Sequence, residues 1–515
     1  MSQKAPFAMP AASGIETDVC LIVEGCYPYV RGGVSSWLDW LMRSLPETTF
    51  SVLAIVSHAE KREVRYHPPD NLLAFHELRL KSELAPLTWL PRESRVPSGT
   101  ELAALLARLF EAGGFSELTA INRIVRQQGA HSEDALINSP IAWSVIRQMY
   151  ARLMPHASFL HFFWAWRALC GGLFAVLTAP LPRARVYHTI STGYAGLAAA
   201  RAACETGRPA VLTEHGIYTN ERRIEILMAP WIADTVDKGV ALDDARLDLR
   251  DIWMKAFDAY ARCCYEASSV ITTLYEDNQA LQINLGASPD RLKVIANGID
   301  VERFDRLTRA STDTPPTVAL IGRVVPIKDV KTFIKAVHLL RQHVGNVRAL
   351  VLGPYDEDPA YFAECRTLVD ELDLRDTLTF TGNVDLASYL PKVHVVALTS
   401  LSEAQPLVLL EAGAAGIPCV ATDVGSCREI IEGRSDERPH QGRGGIVCDL
   451  VDAEAISAGL ARLLTDEPFR QACGAALGAR VARHYSSAMA AAGYRALYQD
   501  MCARPYVTPS ISEAA

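Results

Sequence analysis

The sequence lacks the spacings that most often mark a metal centre, a disulfide framework or a covalent nucleophile. Its 12 cysteines form no C-x-x-C pair, and it contains neither a zinc-type spacing of cysteine and histidine nor a G-x-S-x-G segment. Several cysteines lie within apolar stretches, as the reduced, buried thiols of cytosolic proteins do. We therefore expect neither a metal site nor disulfide bonds.

The chain also lacks an excess of positive charge and a targeting segment. A formal net charge of -8 over 515 residues argues against a surface that binds nucleic acid or anionic lipid. Residues 1–18 have neither the charged and apolar pattern of a secretory signal nor an amphipathic, arginine-rich pattern. The length of 515 residues predicts two or three domains, the composition is that of a globular enzyme, and we expect a cytoplasmic location.

One apolar stretch approaches the length of a membrane span. Residues 158–177 contain His161, Arg167 and the pair Gly171 and Gly172, which a lipid-facing helix seldom carries together. We predict a buried helix or two short elements here. Contact between its aromatic side chains and a membrane partner stays open as an alternative.

Strand-like apolar runs alternate with helical patterns in both halves of the chain. A strand at 18–24 leads into a glycine loop and a helix, and the alternation restarts at Val318 after a polar, proline-containing stretch. Such alternation is typical of parallel sheets. We predict an α/β protein with two doubly wound, Rossmann-like domains at 1–306 and 307–485, the first with a helical insertion at about 60–155.

Two glutamates follow a predicted strand of the second half. Glu403 lies in the loop after the strand, and Glu411 lies within an apolar helix that starts near Pro406. Two carboxylates at the carboxyl end of a strand can accept hydrogen bonds from the hydroxyls of a sugar. The structural alternative makes Glu403 a helix-dipole charge and Glu411 the partner of an arginine.

Two cations lie between another predicted strand and the next helix. Arg323 and Lys328 belong to the segment Gly322–Lys328, and cations beside a helix N-terminus attract anions. They are suited to neutralise the charge of a departing nucleotide diphosphate. The alternative is that both are ordinary surface cations.

Two further candidates lie in the first half. Gly32 and Gly33 precede a helical pattern, where the backbone can approach a phosphate or substrate, although glycine pairs also serve tight turns. The G-x-G-x-x-G fingerprint is absent, which argues against an oxidoreductase. His215 stands out among 13 histidines because it follows the apolar strand at 210–214, but a structural role is its alternative.

Two weaker signals favour structural interpretations. The triplet Asp356, Glu357 and Asp358 has the residue types of a metal site, but its setting indicates a solvated loop. Asn297 and Gly298 indicate a turn with positive φ more strongly than a ligand contact.

Taken in chain order, these motifs resemble the retaining family-4 glycosyltransferases of GT-B fold. The resemblance rests on the glycine pair, on Asn297–Asp300, on Arg323 with its following lysine, and on Glu403 with Glu411. The run DVCLIVEGCYPYVRGGVSSW, together with LTEHGIYTNERRIEI, looks like the PelF-type branch, the cytosolic enzymes of Pel exopolysaccharide synthesis. The resemblance covers most of the chain.

The resemblance implies a role for each candidate. Glu403 would lie near the transferred sugar and Glu411 on the ribose. Arg323 and Lys328 would hold the diphosphate, and His215 would contact the donor sugar at its reacting face. The implied catalytic residues are Glu403, His215, Arg323 and Lys328, and the implied donor-binding residues are Glu411, Gly32, Gly33, Arg323, Lys328, Ser402, Pro406, Leu407, Asn297 and Tyr355.

The resemblance also implies the arrangement and the partners. The two domains would face a central crevice, with the acceptor on the N-terminal side, and residues 486–515 would return to the N-terminal domain. The enzyme would need no cofactor or metal, would take a UDP-linked hexose and a polysaccharide acceptor, and has inner-membrane synthase subunits as candidate partners. The family's lysine is commonly followed by glycine, whereas Asp329 follows Lys328 here.

Three other functions stay open on the sequence. A GT-B sugar-nucleotide epimerase or a phosphorylase would share the phosphate-binding residues, although no pyridoxal lysine can be placed. The third is a non-catalytic subunit of a membrane polysaccharide synthase that binds a nucleotide sugar. The joint presence of two glutamates, two cations and His215 favours an enzyme over a binding subunit.

Overall fold

The protein forms two compact units, each with its own sheet. The computed structural model describes residues 9–11, 14–30, 32–57, 63–80, 99–127, 133–229, 232, 246–305, 315–434 and 437–505. The first unit comprises Met1–Thr273, Gln279–Lys293 and Tyr494–Ala515, and the second comprises Leu274–Asn278 and Val294–Gly493.

The first unit alternates strands and helices, with several helices in succession between its third and fourth strands. In chain order its elements are β1 (Thr17–Glu24), α1 (Gly33–Ser44), β2 (Phe50–Ser57), β3 (Leu72–Leu80), α2 (Gly99–Ala112), α3 (Phe115–Gln127), α4 (Glu133–Ile137), α5 (Pro140–Leu153), α6 (Phe159–Thr178), β4 (Ala184–Thr189), α7 (Tyr194–Thr206), β5 (Ala210–Glu214), α8 (Tyr218–Met228), α9 (Leu249–Ala267), β6 (Ser268–Thr273), α10 (Asn278–Asn284) and β7 (Leu292–Val294).

The sheet of the first unit has the strand order β3-β2-β1-β4-β5-β6-β7. The strand β1 pairs in parallel with β2 on one side and with β4 on the other. Val19, Leu21 and Ile22 of β1 are fully buried, which accounts for the continuous apolar run of this strand. The connections change direction between β1 and β4, and ligands of open α/β sheets bind at the carboxyl ends of the strands beside such a switch point.

The strand β3 lies within the segment predicted to be a helical insertion at about 60–155, so the prediction is wrong for this part. Residues Leu72–Leu80 form the edge of the sheet and pair in parallel with β2. Leu72 and Ala74 are buried, but the later residues of β3 are half-buried or exposed. A strand with a mostly polar pattern is missed by a search for apolar runs.

The apolar stretch at 158–177 forms one helix, α6, so the alternative of two short elements is wrong. Trp166, Leu169 and Leu173 are buried in the core of the first unit, and Arg167 donates to the Asn138 side-chain oxygen at 2.7 Å. Among the described residues, α6 is the one helix long and apolar enough to cross a membrane, and 67% of its apolar window is buried inside the protein.

The second unit repeats the alternation of strands and helices. In chain order its elements are α11 (Val301–Asp305), β8 (Thr317–Ile321), a 3-10 turn (Pro326–Lys328), α12 (Val330–Val344), β9 (Arg348–Leu352), α13 (Pro359–Glu371), β10 (Leu378–Gly382), α14 (Leu386–Tyr389), a 3-10 turn (Leu390–Lys392), β11 (Val395–Leu398), α15 (Leu407–Ala414), β12 (Cys419–Thr422), α16 (Cys427–Glu432), β13 (Gly445–Cys448), α17 (Ala453–Thr465), α18 (Glu467–His484) and the start of α19 (Ser487–Ala503).

The sheet of the second unit has the order β10-β9-β8-β11-β12-β13. The strand β8 pairs in parallel with β9 and with β11, so the switch point of this sheet lies between β8 and β11. Two doubly wound parallel sheets confirm the predicted α/β class with two Rossmann-like domains.

The units change over at a different residue from the predicted domain boundary. The boundary predicted at 306/307 lies outside the described residues, while residues 294–305 belong to the second unit. Ile299 forms a bridge with Ser486, and a Cβ on Gly298 would come within 2.3 Å of the Ser486 carbonyl oxygen. This close packing keeps both segments in the second unit, and the chain enters the first unit again at Tyr494.

Candidate functional site

Two loops meet at the switch point of the second unit. The β8 loop, residues 322–329, and the β11 loop, residues 399–406, follow the adjacent strands β8 and β11. The Leu401 amide donates to the Ile327 carbonyl at 2.9 Å, and the Thr399 hydroxyl donates to the Lys328 carbonyl at 2.9 Å. These bonds place the predicted cations and Glu403 on one edge of the sheet.

Lys328 and Glu403 are in direct contact across the two loops. The Lys328 ammonium donates to Glu403 Oε1, and the Ser400 hydroxyl donates to the same oxygen at 2.7 Å. The two charged side chains are 23% and 14% exposed, so both are within reach of a ligand. A charge-assisted hydrogen bond between partly buried groups fixes the position of each.

Asp329 explains the departure from the lysine-glycine pattern of the resembled family. Its backbone is left-handed, with φ of 43°, a conformation that glycine adopts freely and that aspartate tolerates better than most residues. Asp329 is also the N-cap of α12, because its carboxylate accepts a hydrogen bond from the Thr332 amide at 3.3 Å. The aspartate therefore keeps the backbone conformation and adds a helix cap.

Arg323 pairs with a residue of the acidic triplet. The Arg323 guanidinium donates to Glu357, and each side chain is about half exposed, at 52% and 51%. Asp358 caps α13 by accepting from the Tyr361 amide at 3.0 Å. No group of side chains suited to a metal ion occurs among the described residues, this triplet included.

Glu411 lies in the second turn of α15, in the apolar setting that the sequence predicts. Burial raises the pKa of Glu411 to about 7, and the charge of Arg303 opposes that rise only partly. The carboxyl group is therefore divided between neutral and ionised forms near neutral pH. Pro406 is the N-cap of α15, one position before the predicted N1.

Asn297 comes to the same edge from another part of the chain and contacts Gln405 of the β11 loop. The Asn297 amide nitrogen donates to the Gln405 side-chain oxygen at 2.6 Å, and Gln405 is 6% exposed. The Asn297 Oδ1 and Gln405 Nε2 atoms are buried without a hydrogen-bond partner in the described part of the chain. Unpartnered buried polar atoms are uncommon, and a bound ligand is one explanation for them.

The remaining predicted donor-binding residues of the second unit are accessible. Ser402 is exposed, and Leu407 is 43% exposed at the start of α15. Tyr355, after β9, is 37% exposed and stacks on Phe362 with ring centroids 4.3 Å apart.

Gly425 is a residue of the site that the sequence analysis missed. Its φ is 53°, and a Cβ there would lie 2.2 Å from the Glu403 carbonyl oxygen. The Ser426 amide next to it donates to the Ala404 carbonyl at 2.8 Å. The loop after β12 thus supports the backbone of Glu403, and only a glycine fits at this approach. The dipeptide Val424-Gly425 after a predicted strand was the available sequence signal.

Gly32 and Gly33 lie at the start of α1 in the first unit. Gly32 is extended, with φ of 177°, and Gly33 is the first helical residue, so neither needs a positive φ. A Cβ on either glycine would meet no described atom within 4 Å. The described part of the first unit therefore gives no steric reason for the pair.

His215 follows β5 in the first unit, as the sequence predicts. Its ring packs edge-on against Trp37 with centroids 4.7 Å apart, and its Nε2 atom is buried with no hydrogen-bond partner among the described residues. Burial lowers the pKa of His215 to about 4, so the imidazole is neutral at pH 7. The structure thus holds Lys328 and Glu403 together in one unit and His215 in the other.

Residues 17–290, more than half of the chain, match the family described as Domain of unknown function (DUF3492). The chain belongs to the DUF3492 family. Residues 302–477 of this DUF3492 protein match a second family, the glycosyl transferases group 1. That match includes both loops of the second unit and every predicted site residue from Arg323 to Glu411.

Curated relatives of this DUF3492 protein are glycosyltransferases. It is 30% identical over 247 residues to the D-inositol 3-phosphate glycosyltransferase of Corynebacterium glutamicum, covering 45% of this chain and 57% of that one. It is 26% identical over 194 residues to the amylovoran biosynthesis glycosyltransferase AmsK of Erwinia amylovora, covering 36% and 45%. The chain spans about half the length of the curated relatives it matches.

Solved structures share the fold of this DUF3492 protein. Anabaena HepE in complex with UDP and glucose has a TM-score of 0.54 at 13% identity and covers 94% of this chain and 100% of its own. The sucrose-phosphate synthase of Thermosynechococcus elongatus has a TM-score of 0.55 at 17% identity, with 94% and 98% covered. The two Rossmann-like sheets thus have the GT-B fold.

Proposed function

We propose that this protein is a retaining glycosyltransferase that moves a hexose from a UDP-sugar to a growing exopolysaccharide chain. The observation that carries the proposal is the contact of Lys328 with Glu403 at the β8–β11 switch point, within the region that matches the group 1 glycosyl transferases. A cation for the diphosphate and a carboxylate for the sugar are adjacent there, as transfer from a nucleotide sugar requires.

The two cations of the β8 loop are proposed to hold the diphosphate. Their charges are compensated in the structure by Glu357 and Glu403. A diphosphate offers more oxygens than one carboxylate, and the Arg323 fork can bind two of them at once. As the bond to the sugar breaks, these cations stabilise the charge that develops on the leaving group.

The two glutamates are proposed to bind different parts of the donor. Glu403, beside Lys328, accepts hydrogen bonds from the transferred sugar, and Glu411, inside α15, accepts them from the ribose. Only Leu407–Glu411 of the interval between them is helical, so the rise along the helix is about 6 Å for these four steps. With front-face attack, a phosphate oxygen takes the proton of the acceptor hydroxyl, and neither glutamate acts as a nucleophile.

The identity of donor and acceptor is proposed from the relatives. AmsK is a glycosyltransferase of amylovoran biosynthesis, and HepE was crystallised with UDP. We carry both to this chain, with a Pel-type polysaccharide as the acceptor and inner-membrane synthase subunits as partners of a cytoplasmic enzyme. A relative from Mycobacterium tuberculosis is named as GDP-mannose-dependent, which makes GDP-mannose the rival donor.

The decisive experiment incubates the full chain with UDP-glucose, UDP-galactose, their N-acetylated forms and GDP-mannose, each with acceptor oligosaccharides. We expect release of UDP and a product whose anomeric proton, followed by NMR, has the configuration of the donor. Release of GDP alone would reassign the donor, and an inverted product would contradict retention. No release or transfer with any donor would overturn the proposal in favour of a binding subunit.

Variants of the β8 loop test the roles of its cations. We expect Arg323→Ala and Lys328→Ala each to lower turnover at least tenfold, about 1.4 kcal/mol or more of transition-state stabilisation. Lys331→Ala is the matched control, because Lys331 lies three residues further on and pairs with Glu364 at the surface. Unchanged turnover of Arg323→Ala at saturating donor would exclude its proposed role.

A further inference from the structure

The switch point of the first sheet also carries a group of polar side chains. Glu24 is the last residue of β1, and the loop Ser191–Gly193 follows the neighbouring strand β4. Tyr218 and Arg222 come from the first turns of α8, which follows β5. Separate segments of the chain thus bring polar groups to the carboxyl edge of one sheet, where open α/β sheets bind ligands.

These side chains form a hydrogen-bonded chain that ends at the Glu24 carboxylate. The Arg222 guanidinium donates to the Tyr218 hydroxyl at 2.5 Å, and that hydroxyl donates to Glu24 Oε1 at 3.3 Å. The Ala195 amide, in the first turn of α7, donates to Glu24 Oε2 at 3.4 Å. The Arg222 guanidinium also lies over the Tyr218 and Phe257 rings, 5.1 and 5.2 Å from their centroids, which holds it in place.

The hydrogen bonding of this cluster is incomplete. The bonds that Tyr218 and Ala195 donate to the Glu24 carboxylate are long for an ionised acceptor, whose bonds are usually about 2.5 to 2.9 Å. The Arg222 Nε and Ser191 Oγ atoms are buried without a partner in the described residues, and Ser191 is 9% exposed. A cluster built only to tie α7 and α8 to the sheet would satisfy these groups internally.

Gly193 makes room for the carboxylate. It is the N-cap of α7, and a Cβ at this position would lie 2.7 Å from Glu24 Oε2 and 2.7 Å from the Tyr218 hydroxyl. Both atoms belong to the polar cluster. A residue larger than glycine at position 193 would therefore collide with these polar groups.

We propose that Glu24, Tyr218, Arg222 and Ser191 form a binding site in the first unit for the hydroxyl groups of the acceptor saccharide. The carboxylate accepts, the guanidinium donates, and the phenol and the serine hydroxyl do both, which matches the mixed donors and acceptors of a sugar diol. Glu24 and Arg222 are groups of opposite charge, so the cluster suits a neutral polyol better than an ion. This inference rests on the proposed transferase function.

Direct binding tests the site without relying on turnover. The full chain is titrated with maltopentaose, chitopentaose and a galactosaminogalactan oligomer by saturation-transfer NMR, and separately with UDP by calorimetry. We expect at least one oligosaccharide to bind, Glu24→Gln to weaken it at least tenfold, and Ser191→Ala to weaken it several-fold. The affinity for UDP should stay the same in both variants, since Glu24 lies outside the second unit.

Glu225→Gln is the matched control. Glu225 lies on the same helix, accepts from the other side of Arg222 at 2.7 Å and is 64% exposed, so its loss removes a carboxylate near Arg222 without touching Glu24. A purely structural role for Glu24 predicts a lower melting temperature of Glu24→Gln with unchanged oligosaccharide affinity, and that result overturns the proposal. Failure of the parent protein to bind any of the three oligosaccharides also overturns it. Absence of UDP binding by the parent, with Glu24-dependent oligosaccharide binding present, would contradict the proposed UDP-linked donor and leave this saccharide site standing.

Discussion

At the residue scale, the two glutamates of the second unit have the same chemistry and different surroundings. Glu403 accepts from Lys328 and Ser400, which compensate its charge. Glu411 lies in an apolar helix with the more distant Arg303 as its source of compensating charge, and burial raises its pKa to about 7. The environment of each carboxylate therefore decides which of the two responds to pH in the physiological range.

We predict that the affinity for UDP rises by about tenfold between pH 6 and pH 8 in a manner that depends on Glu411. In the proposed donor site an ionised Glu411 accepts hydrogen bonds from the ribose, and a group with a pKa near 7 is mostly protonated at pH 6 and mostly ionised at pH 8. Calorimetric titration of the parent and of Glu411→Gln at several pH values separates this effect from the ionisation of UDP itself. Parallel pH profiles for the two proteins would contradict the assignment of Glu411 to the ribose.

The same raised pKa has a consequence for stability. The Glu411 carboxyl group holds its proton more tightly in the folded state than in the unfolded state. The folded state therefore loses stability as the pH rises from the ordinary carboxyl pKa toward 7. In the absence of ligand, the parent should therefore lose more of its melting temperature between pH 5 and pH 8 than Glu411→Gln does.

A second prediction at this scale concerns Asp329. Asp329→Ala removes the cap of α12 and keeps a left-handed residue, so we expect it to lower the free energy of unfolding by about 1 to 3 kcal/mol. Asp329→Asn keeps both properties and should stay within about 0.5 kcal/mol of the parent. Urea unfolding measures the series, and equal stability of the alanine variant and the parent would show that neither property matters.

At the element scale, the packing of α1 does not explain why the helix begins with a glycine. Gly33 is the first residue of α1 and does not need positive φ, and a Cβ on it would have no described atom within 4 Å. Glycine is a poor helix former, so an alanine would be preferred there on stability alone. We propose that the glycine pair instead lets a substrate approach the amides at the N-terminus of α1.

We predict that Gly33→Ala leaves the protein as stable as the parent or slightly more stable, and that it lowers turnover at least tenfold. The new methyl group meets no described atom of the protein within 4 Å and would collide only with a ligand. Gly171→Ala inside α6 is the control, because its Cβ would make an ordinary 3.4 Å contact with Ile137. Full activity of Gly33→Ala would contradict a role of the glycine pair in substrate binding.

At the scale of the whole molecule, the cations that we propose to bind the diphosphate are local to one loop. The chain carries a formal net charge of -8, yet Arg323 and Lys328 lie in one loop beside the switch point of the second sheet. The described residues contain no group of side chains suited to a metal ion. Two side-chain cations can neutralise the negative charge of a leaving diphosphate in place of a divalent ion.

We therefore predict that transfer proceeds without a divalent cation. Activity with the preferred donor should be unchanged after dialysis against excess EDTA. The double variant Arg323→Ala with Lys328→Ala, assayed with and without magnesium, serves as the control for rescue by an added cation. Complete loss of parent activity in EDTA, restored by magnesium or manganese, would show that a metal carries the phosphate charge.

The sequence by itself was sufficient for the two doubly wound domains, because buried parallel strands and amphipathic helices are encoded in local periodicity. It was insufficient for β3, whose polar edge-strand pattern resembles a loop segment, and for the change of unit at residue 294, which depends on packing against Ser486. It also singled out Lys328, Glu403 and His215, since each directly follows a predicted strand or precedes a helix.

Only the tertiary structure decided which of these residues meet. Arg323 pairs with Glu357, 34 residues away, Lys328 with Glu403, 75 residues away, and Tyr218 with Glu24, 194 residues away. No local pattern specifies such contacts, because they depend on strand order and on which loops share a sheet edge. The left-handed backbone of Asp329 and the support of Glu403 by Gly425 belong to the same class, since both are consequences of how folded loops fit against one another.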